Sequence, residues 1–499
     1  MKKFLLCTVV MFSALAVSAQ EKVKELVTAD YDRSGVSYVF VNRGGQHADV
    51  QKFYDTFTID EKFDANKIPT KYLKMRTSTG LPTAAADVES AAKRAKLGKE
   101  VISFIFGRQE DGTCSDALLI ERGKYNAKDQ DIKNLNAAKV KEVWLASGEK
   151  LVNSSYIVIY DVYKTGQKRN DNGTITYSAN AMAHVFKIKA DQQVIDNFYA
   201  KAWVDASSSE ADKQKAVAEF NKMKFDLELV ASVAALGTST KSKYVDGNIY
   251  KACLSAYDNA FFNLEKKIPA WQVKTTVTSV RPIAAKIGTK EGLKNADRYR
   301  AYSYKEDKNG KLVSVKHGYL RATVISNNKG VATGNTKPSY FYQISGAKNI
   351  KEGYTLKQDK DTKLGVALAF GLNANTDYAL FRLGLDMDYI AHISQRGFIT
   401  YGMVDVGLNF GTALLCDVMV GAGYGIPCSR FFEITPYAKL GGFYDTESES
   451  LSTYAFEPGA RFALTFQPFS LFVSLGAQAA FGELTGVGFV GKLGLKWTF

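Results

Sequence analysis

The sequence predicts a multidomain chain: an α/β region, a mainly helical segment, a small β module and a C-terminal eight-stranded antiparallel β-barrel. Three observations predict it. Eight segments with period-two hydrophobicity fill the C-terminal end from residue 364 onward. A basic, then apolar leader opens the chain. Between them, residues 271–359 hold 17 basic and 6 acidic residues, setting that stretch apart from its neighbours. Composition excludes several classes. With 23% charged and 46% hydrophobic residues over 499 positions, the chain is neither disordered nor a helical membrane protein. Five Cys and 4 His are too few for a disulfide framework or a zinc scaffold.

Residues 1–19 read as a secretory signal peptide. Lys2 and Lys3 precede an apolar run from Phe4 to Val17, and Val17-Ser18-Ala19 supplies small residues before Gln20. The run is shorter than the roughly 20 apolar residues of a membrane helix. Cys7 lies too early for a lipoprotein box, so no lipid anchor is expected. Cys114, Cys253, Cys416 and Cys428 remain, and whether Cys114 and Cys253 pair is left open.

Residues 20–190 read as α/β. Val101–Phe106, Tyr156–Val162 and Ile175–Ile188 are expected strands, and Asp131–Leu151 has helical spacing at Leu135, Ala138 and Leu145. Leu118-Leu119-Ile120-Glu121-Arg122-Gly123, a following helix and Ser155-Tyr156-Ile157-Val158 are similar to secretion-channel lipoproteins of the curli type. That family's lipid anchor and channel-forming strands are not evident in the sequence. Residues 191–270 read as mainly helical. Leu227, Leu229 and Val230 share one apolar stretch that Gly237-Thr238-Ser239-Thr240 breaks. A second helix carries Tyr250, Leu254, Tyr257, Phe261 and Leu264, and Pro269 ends it.

Residues 271–359 read as β: Gln272–Arg281, Arg298–Lys305, Lys311–Ser326 and Tyr340–Ile344, with a hairpin turn at Lys308-Asn309-Gly310. Gly288, Gly292-Leu293-Lys294, Gly318-Tyr319-Leu320-Arg321 and the run from Ile350 to Lys357 resemble a small SH3-like barrel, a module found at the ends of some envelope and flagellar assembly proteins. Lys305, Lys308, Lys311, Lys316 and Arg321 are its candidates for contact with anionic head groups, each contributing up to about 1 kcal/mol. The plainer alternative is a solvated basic face. Nucleic acid, the usual partner of such a patch, does not fit a secreted chain.

Residues 360–499 form the barrel. Its segments are Leu364–Leu372, Ala379–Tyr389, Thr400–Phe410, Leu414–Tyr424, Phe432–Leu440, Tyr454–Phe466, Leu471–Phe481 and Val487–Phe499. One phase of each is free of charge. The other carries Lys363, Arg382, Lys439, Arg461, Lys492 and Lys496 against Asp386, Asp388, Asp405, Asp417, Glu433 and Glu457. Six cations and six anions predict an ion-paired interior. A soluble barrel would turn the apolar phase inward around a ligand. Lipid is favoured by segments of spanning length, by aromatic residues crowding their ends, and by glycines and matched charges on the opposite phase.

The even strand count and the ending Lys496-Trp497-Thr498-Phe499 resemble OmpA/OmpX-type outer-membrane barrels. The resemblance covers only the barrel. It implies that Trp497 and Phe499 are a C-terminal signal for the barrel assembly machinery. The sequence departs from that family in its loops, which are short at Asn373–Asp377, Gly411–Ala413 and Gly482–Gly486. Only the loop near Phe443–Thr453, with Asp445, Glu447 and Glu449, offers surface. Pro436 and Pro458 predict a bulge on strands five and six.

Catalytic and cofactor signatures are absent. There is no G-x-x-x-x-G-K-[ST], G-x-S-x-G, H-E-x-x-H or C-x-x-C. His47, His184, His317 and His392 are far apart. Some eight-stranded barrels modify lipid A with an outward-facing His and Ser, whereas His392 and Ser394 sit at the opposite, periplasmic turn. No cofactor and no metal are expected. The expectation is a non-catalytic outer-membrane protein of a Gram-negative bacterium presenting periplasmic domains. Its expected partners are outer-membrane lipid, the assembly machinery and a periplasmic protein. The alternatives are an envelope assembly or secretion accessory acting through a protein partner, and a lipid-modifying enzyme.

Overall fold

Strand β1 (Gly35–Asn42) is buried along nearly its whole length, so it cannot alternate apolar with polar. It pairs in parallel with β2 (Asp64–Ala65), β3 (Tyr72–Lys74) and β4 (Ser155–Arg169). Beyond β4 the sheet continues antiparallel through β5 (Ile175–Ile188) and β6 (Leu227–Lys241), in the order β2-β1-β4-β5-β6. The computed structural model describes residues 33–75, 80–126, 136–306, 312–329, 337–346, 348–374, 378–411, 414–446 and 450–499. The predicted signal peptide, the Lys308-Asn309-Gly310 turn, Lys311, Glu447 and Glu449 lie outside the described residues.

Helices cover both faces of this sheet. On one side Tyr38 and Phe40 meet α1 (Ala48–Thr56) and the α8 helix (Ile249–Lys267). On the other, Val39 and Val41 meet α2 (Ala85–Arg94), α3 (Leu97–Ile105) and α6 (Gln192–Lys201). Helices α4 (Ala117–Asn126), α5 (Ala137–Asn153) and α7 (Glu210–Lys222) complete this layer.

Two expected elements change type. Val101–Phe106 is not a strand: Val101, Ile102 and Ile105 join Leu97 on the buried face of α3. The apolar stretch at Leu227 is not helical: in β6, Ala231, Val233, Ala235 and Gly237 face α8 at period two. Gly237 does not break a helix. It is where α8 crosses the strand, since a Cβ there would lie 2.1 Å from the Ala256 nitrogen. Residues 191–270 therefore belong to the same sheet as the preceding region. Cys114 and Cys253 are free and buried in opposite cores, so they do not pair.

A second, smaller barrel follows. Its strands are β7 (Lys274–Val280), β8 (Ile283–Ala285), β9 (Arg298–Glu306), β10 (Leu312–Ala322), β11 (Ser339–Gln343) and β12 (Thr355–Gln358). They close in the order β10-β11-β8-β7-β12-β9 around Val277, Leu293, Tyr299, Leu320, Phe341 and Leu356.

The C-terminal barrel has eight antiparallel strands: β13 (Leu364–Ala374), β14 (Ala379–Ile393), β15 (Ile399–Phe410), β16 (Leu414–Pro427), β17 (Phe432–Asp445), β18 (Ser450–Thr465), β19 (Phe469–Gly482) and β20 (Gly486–Thr498). Pairing of β13 with β20 closes it, so every strand has two neighbours. The prolines do not cause the expected bulge. Pro436 stays in register opposite Ala460, while on its other side pairing lapses between Gly423–Tyr437 and Ile426–Ile434 and resumes without a shift. Pro458 likewise stays opposite Ala438 while pairing with β19 lapses. A missing N–H removes a bond on one side without inserting a residue. The shift between β17 and β18 falls instead at Phe443/Tyr444.

Candidate functional site: the barrel lumen and its capped mouth

The barrel is apolar outside and charged inside. Leu368, Leu383, Leu385, Val420, Leu440 and Leu495 are exposed around its middle. Exposed rings gather toward both ends. Phe381, Tyr454 and Phe481 stand at one, and Tyr389, Tyr424 and Trp497 at the other. Trp497 meets Phe469 edge-on at 4.4 Å and stacks with Phe499 at 6.0 Å. A continuous apolar wall between aromatic girdles is the outside of a transmembrane barrel.

The lumen is filled by side chains. Lys492 donates to Asp405 at 2.9 Å and to Glu457 at 3.0 Å, and Lys439 donates to Asp405 at 2.5 Å. Arg382 bonds Asp386 at 2.9 Å and Asp417 at 3.1 Å, and Asn409 donates to Asp417 at 2.6 Å. Gly384 and Gly407, directly opposite each other, make room for this guanidinium: a Cβ at either would lie within 2.6 Å of Arg382. Nearer the Trp497 end, Arg461 and Lys496 share one oxygen of Asp388 at 2.7 and 2.9 Å. Glu433 accepts from Tyr401 and Thr435, and among the described residues it has no cation within 4.0 Å. Lys363 is not part of this network. It precedes β13 and reaches outward to the Asn295 carbonyl at 2.6 Å and Asp297 at 3.4 Å. The interior is thus five cations facing six anions.

The small barrel covers the mouth at that end. Asn295 Nδ2 donates to the Ile393 carbonyl at 2.8 Å, and the Ile393 N–H donates to Asn295 Oδ1 at 2.9 Å. Ala296, Tyr342 and Ile344 meet Ile390, Ile399 and Tyr401 in one apolar cluster. The Tyr342 ring lies over Gly397, where a Cβ would come within 2.4 Å of it. Arg321, expected at a basic surface, is fully buried here. It bonds Asp361 at 2.6 Å and the Ala296 carbonyl at 2.6 Å. Both faces of that strand end are covered, so period two no longer tells inside from outside. Lys305 and Lys316 are exposed. Between the two barrels lies a chamber of about 50 Å³ lined by Arg321, Asp388, Tyr401, Glu433 and Lys496, room for one or two waters.

Asn295, Tyr342, Asp361 and Gly397 are the site residues that pattern reading missed. Each meets a partner far away in sequence, and no local periodicity marks such a contact. The histidines stay apart. His184 bonds Ser232 at 2.8 Å as a cross-strand pair, and His317 bonds Ser303 at 2.7 Å and stacks on Tyr354. Ser394 Oγ accepts the Phe398 N–H. Among the described residues, no group of three or more His, Cys, Asp and Glu could hold a metal, and no helix is long and apolar enough to cross a membrane.

No protein-family profile and no curated protein matches the sequence. Among solved structures, a de novo designed transmembrane β-barrel is similar over 28% of this chain and 98% of its own, at 19% identity and a TM-score of 0.19. The β domain of the Bordetella autotransporter BrkA is similar over 67% and 96%, at 8% identity and a TM-score of 0.16. The outer-membrane protein OmpT of Vibrio cholerae is similar over 69% and 95%, at 6% identity and a TM-score of 0.15. The barrel's type is set by its own closure, its apolar outer wall and its charged lumen.

Proposed function

We propose that this chain is a non-catalytic outer-membrane protein of a Gram-negative cell. Its barrel is the anchor, and residues before the barrel stand in the periplasm as a binding or structural platform. The observation that carries this reading is the docking of the small barrel on one mouth through Asn295 and Ile393. A barrel whose lumen is filled with ion pairs and whose mouth is covered is suited to holding a domain in place rather than to passing solutes. Outer-membrane lipid then surrounds the wall, and Trp497 and Phe499 serve the assembly machinery. Of the five basic candidates for head-group contact Arg321 is buried and drops out, Lys305 and Lys316 are exposed, and Lys308 and Lys311 lie outside the described residues.

The test is membrane fractionation with a gel of unboiled and boiled sample, joined to planar-bilayer recording on the full chain. A band that shifts on boiling, in the outer-membrane fraction, with no current steps, is expected. A soluble protein without a shift overturns the anchor, and steady conductance overturns the plugged lumen.

A second reading, an assembly or secretion accessory acting through a protein partner, is favoured by one edge of the sheet. Leu229, Val230 and Leu236 on edge strand β6 are exposed, as are Tyr244 and Val245 in the segment that follows it and Leu254 on α8. A photo-crosslinker at Leu236 that captures one envelope protein repeatedly would favour this reading. Labelling no greater than at exposed Lys305 would remove it.

A further inference from the structure

An open cleft of about 640 Å³ separates α8 from the small barrel, within the range of small-molecule sites. Its floor is aromatic, made by Tyr257, Phe261 and Phe262 of α8. The sheet domain supplies acids to one wall, and the small barrel and the linker after it supply lysines to the other. Two ion pairs stitch the walls together: Glu61 with Lys329, and Glu265 with Lys360 at 2.5 Å. Of the other charged groups lining the cleft, Asp60 is half-buried and accepts the Lys62 N–H, Asp258 and Lys294 are exposed, and none of the three is in an ion pair among the described residues. Lys294 acts on Asp258 only through space, and partial burial holds the Asp258 acid above its ordinary range.

Two opposite charges kept apart over an aromatic floor complement a ligand that carries both signs. An ammonium is attracted to the carboxylate and to the ring faces, and a phosphate to the lysine. The position narrows the source. Lys294 precedes Asn295, which is bonded to the barrel turn at Ile393. Lys360 is followed closely by Leu364, the first barrel residue, and the chain advances at most about 3.6 Å per residue. The cleft therefore lies near the barrel rim, the level of the head groups on the anchor reading.

We propose that this cleft binds a zwitterion with a primary ammonium and a phosphate, the head-group chemistry of an aminophospholipid. The membrane source of that ligand rests on the anchor reading above.

The test is calorimetric titration of the full chain in detergent micelles. The probes are dihexanoylphosphatidylethanolamine, dihexanoylphosphatidylglycerol and soluble glycerophosphoethanolamine. The ethanolamine lipid should bind at least about tenfold tighter than the glycerol lipid, and Asp258→Asn and Lys294→Gln should each weaken it about tenfold. Binding of glycerophosphoethanolamine with the same variant dependence upholds the site with a soluble source. Binding of the lipid alone upholds it with a membrane source. Equal affinity for both lipids, no binding, or unchanged binding by the double variant overturns it. The boiling shift of the same samples is read separately. Its absence overturns the anchor, while the glycerophosphoethanolamine titration still decides the cleft.

Discussion

Asn295 and Ile393, 98 residues apart, exchange two hydrogen bonds as if Asn295 were one more strand of the large barrel. Its side-chain amide supplies the donor and acceptor that the backbone at the end of β14 would otherwise lack. Asn295→Leu removes both and leaves the buried N–H and C=O of Ile393 without partners, a cost of about 1–3 kcal/mol each. Amide exchange at Ile393 should quicken, and the junction should become open to protease. The boiling shift should persist, because the large barrel closes without the small barrel that sits on its mouth as a collar. Unchanged exchange would mean that the two barrels are held by apolar contact alone.

Lys492 is the hub of the lumen, tied to Asp405 and Glu457 and almost wholly buried. Lys492→Met leaves Asp405 and Glu457 to share Lys439 as their one cation in a confined space, at a cost of about 3–5 kcal/mol. The temperature at which the folded band shifts should fall. Adding Glu457→Gln should recover part of the loss by removing one of the two carboxylates that then share Lys439. A double variant no better than the single would place the loss in packing, not charge.

His184 supplies a pH dependence outside the barrel. Burial lowers its pKa below the ordinary 6.5, outweighing the Thr83 carbonyl and Asp161, which both favour the charged ring. Ser232, on the facing strand, bonds Nδ1. Below pH 6.5 the unfolded chain takes up a proton that the folded domain resists, so stability falls as pH drops. The loss is complete once pH passes below the folded value, and the contribution is flat above 6.5. Thermal unfolding of the full chain at about pH 7.5 and about pH 5.5 should show this fall, and His184→Gln should flatten it. A wild-type curve as flat as the variant's would overturn this assignment.

The barrel was legible because its strands have lipid-type surroundings on one side and a charged lumen on the other, which forces period two. The same logic misled elsewhere. In the first domain, helices cover both faces of the sheet, so β1 reads as a continuous apolar run, and the β-branched stretch at Val101 reads as a strand though it lines a helix. Gly237 carries no local sign that a helix crosses it. Arg321 reads as a surface charge because it sits in a basic segment, and Lys363 reads as a lumen charge by phase. Their true partners, Asp361 and Asp297, lie beyond the reach of any window along the chain.

Gly397 and Tyr342 provide the sharpest probe of the covered mouth. Gly397 sits at φ +86°, in a turn where its N–H bonds the Ser394 carbonyl at 2.9 Å. The Tyr342 ring fills the space its side chain would need. Gly397→Ala therefore meets two penalties. The left-handed backbone costs about 1–2 kcal/mol, and the clash with the ring costs about 1–3 kcal/mol more. Only the second depends on Tyr342. Tyr342→Ala alone should weaken docking by lost burial, but in the double variant it should relieve the clash and leave the backbone cost. The coupling between the two sites should then be about 0.5–3 kcal/mol in the favourable direction. Hydrogen exchange across the Ser394–Phe398 turn reads it directly. Strictly additive variants would show that the ring yields to a methyl group, and that the collar is a looser fit than Gly397 suggests.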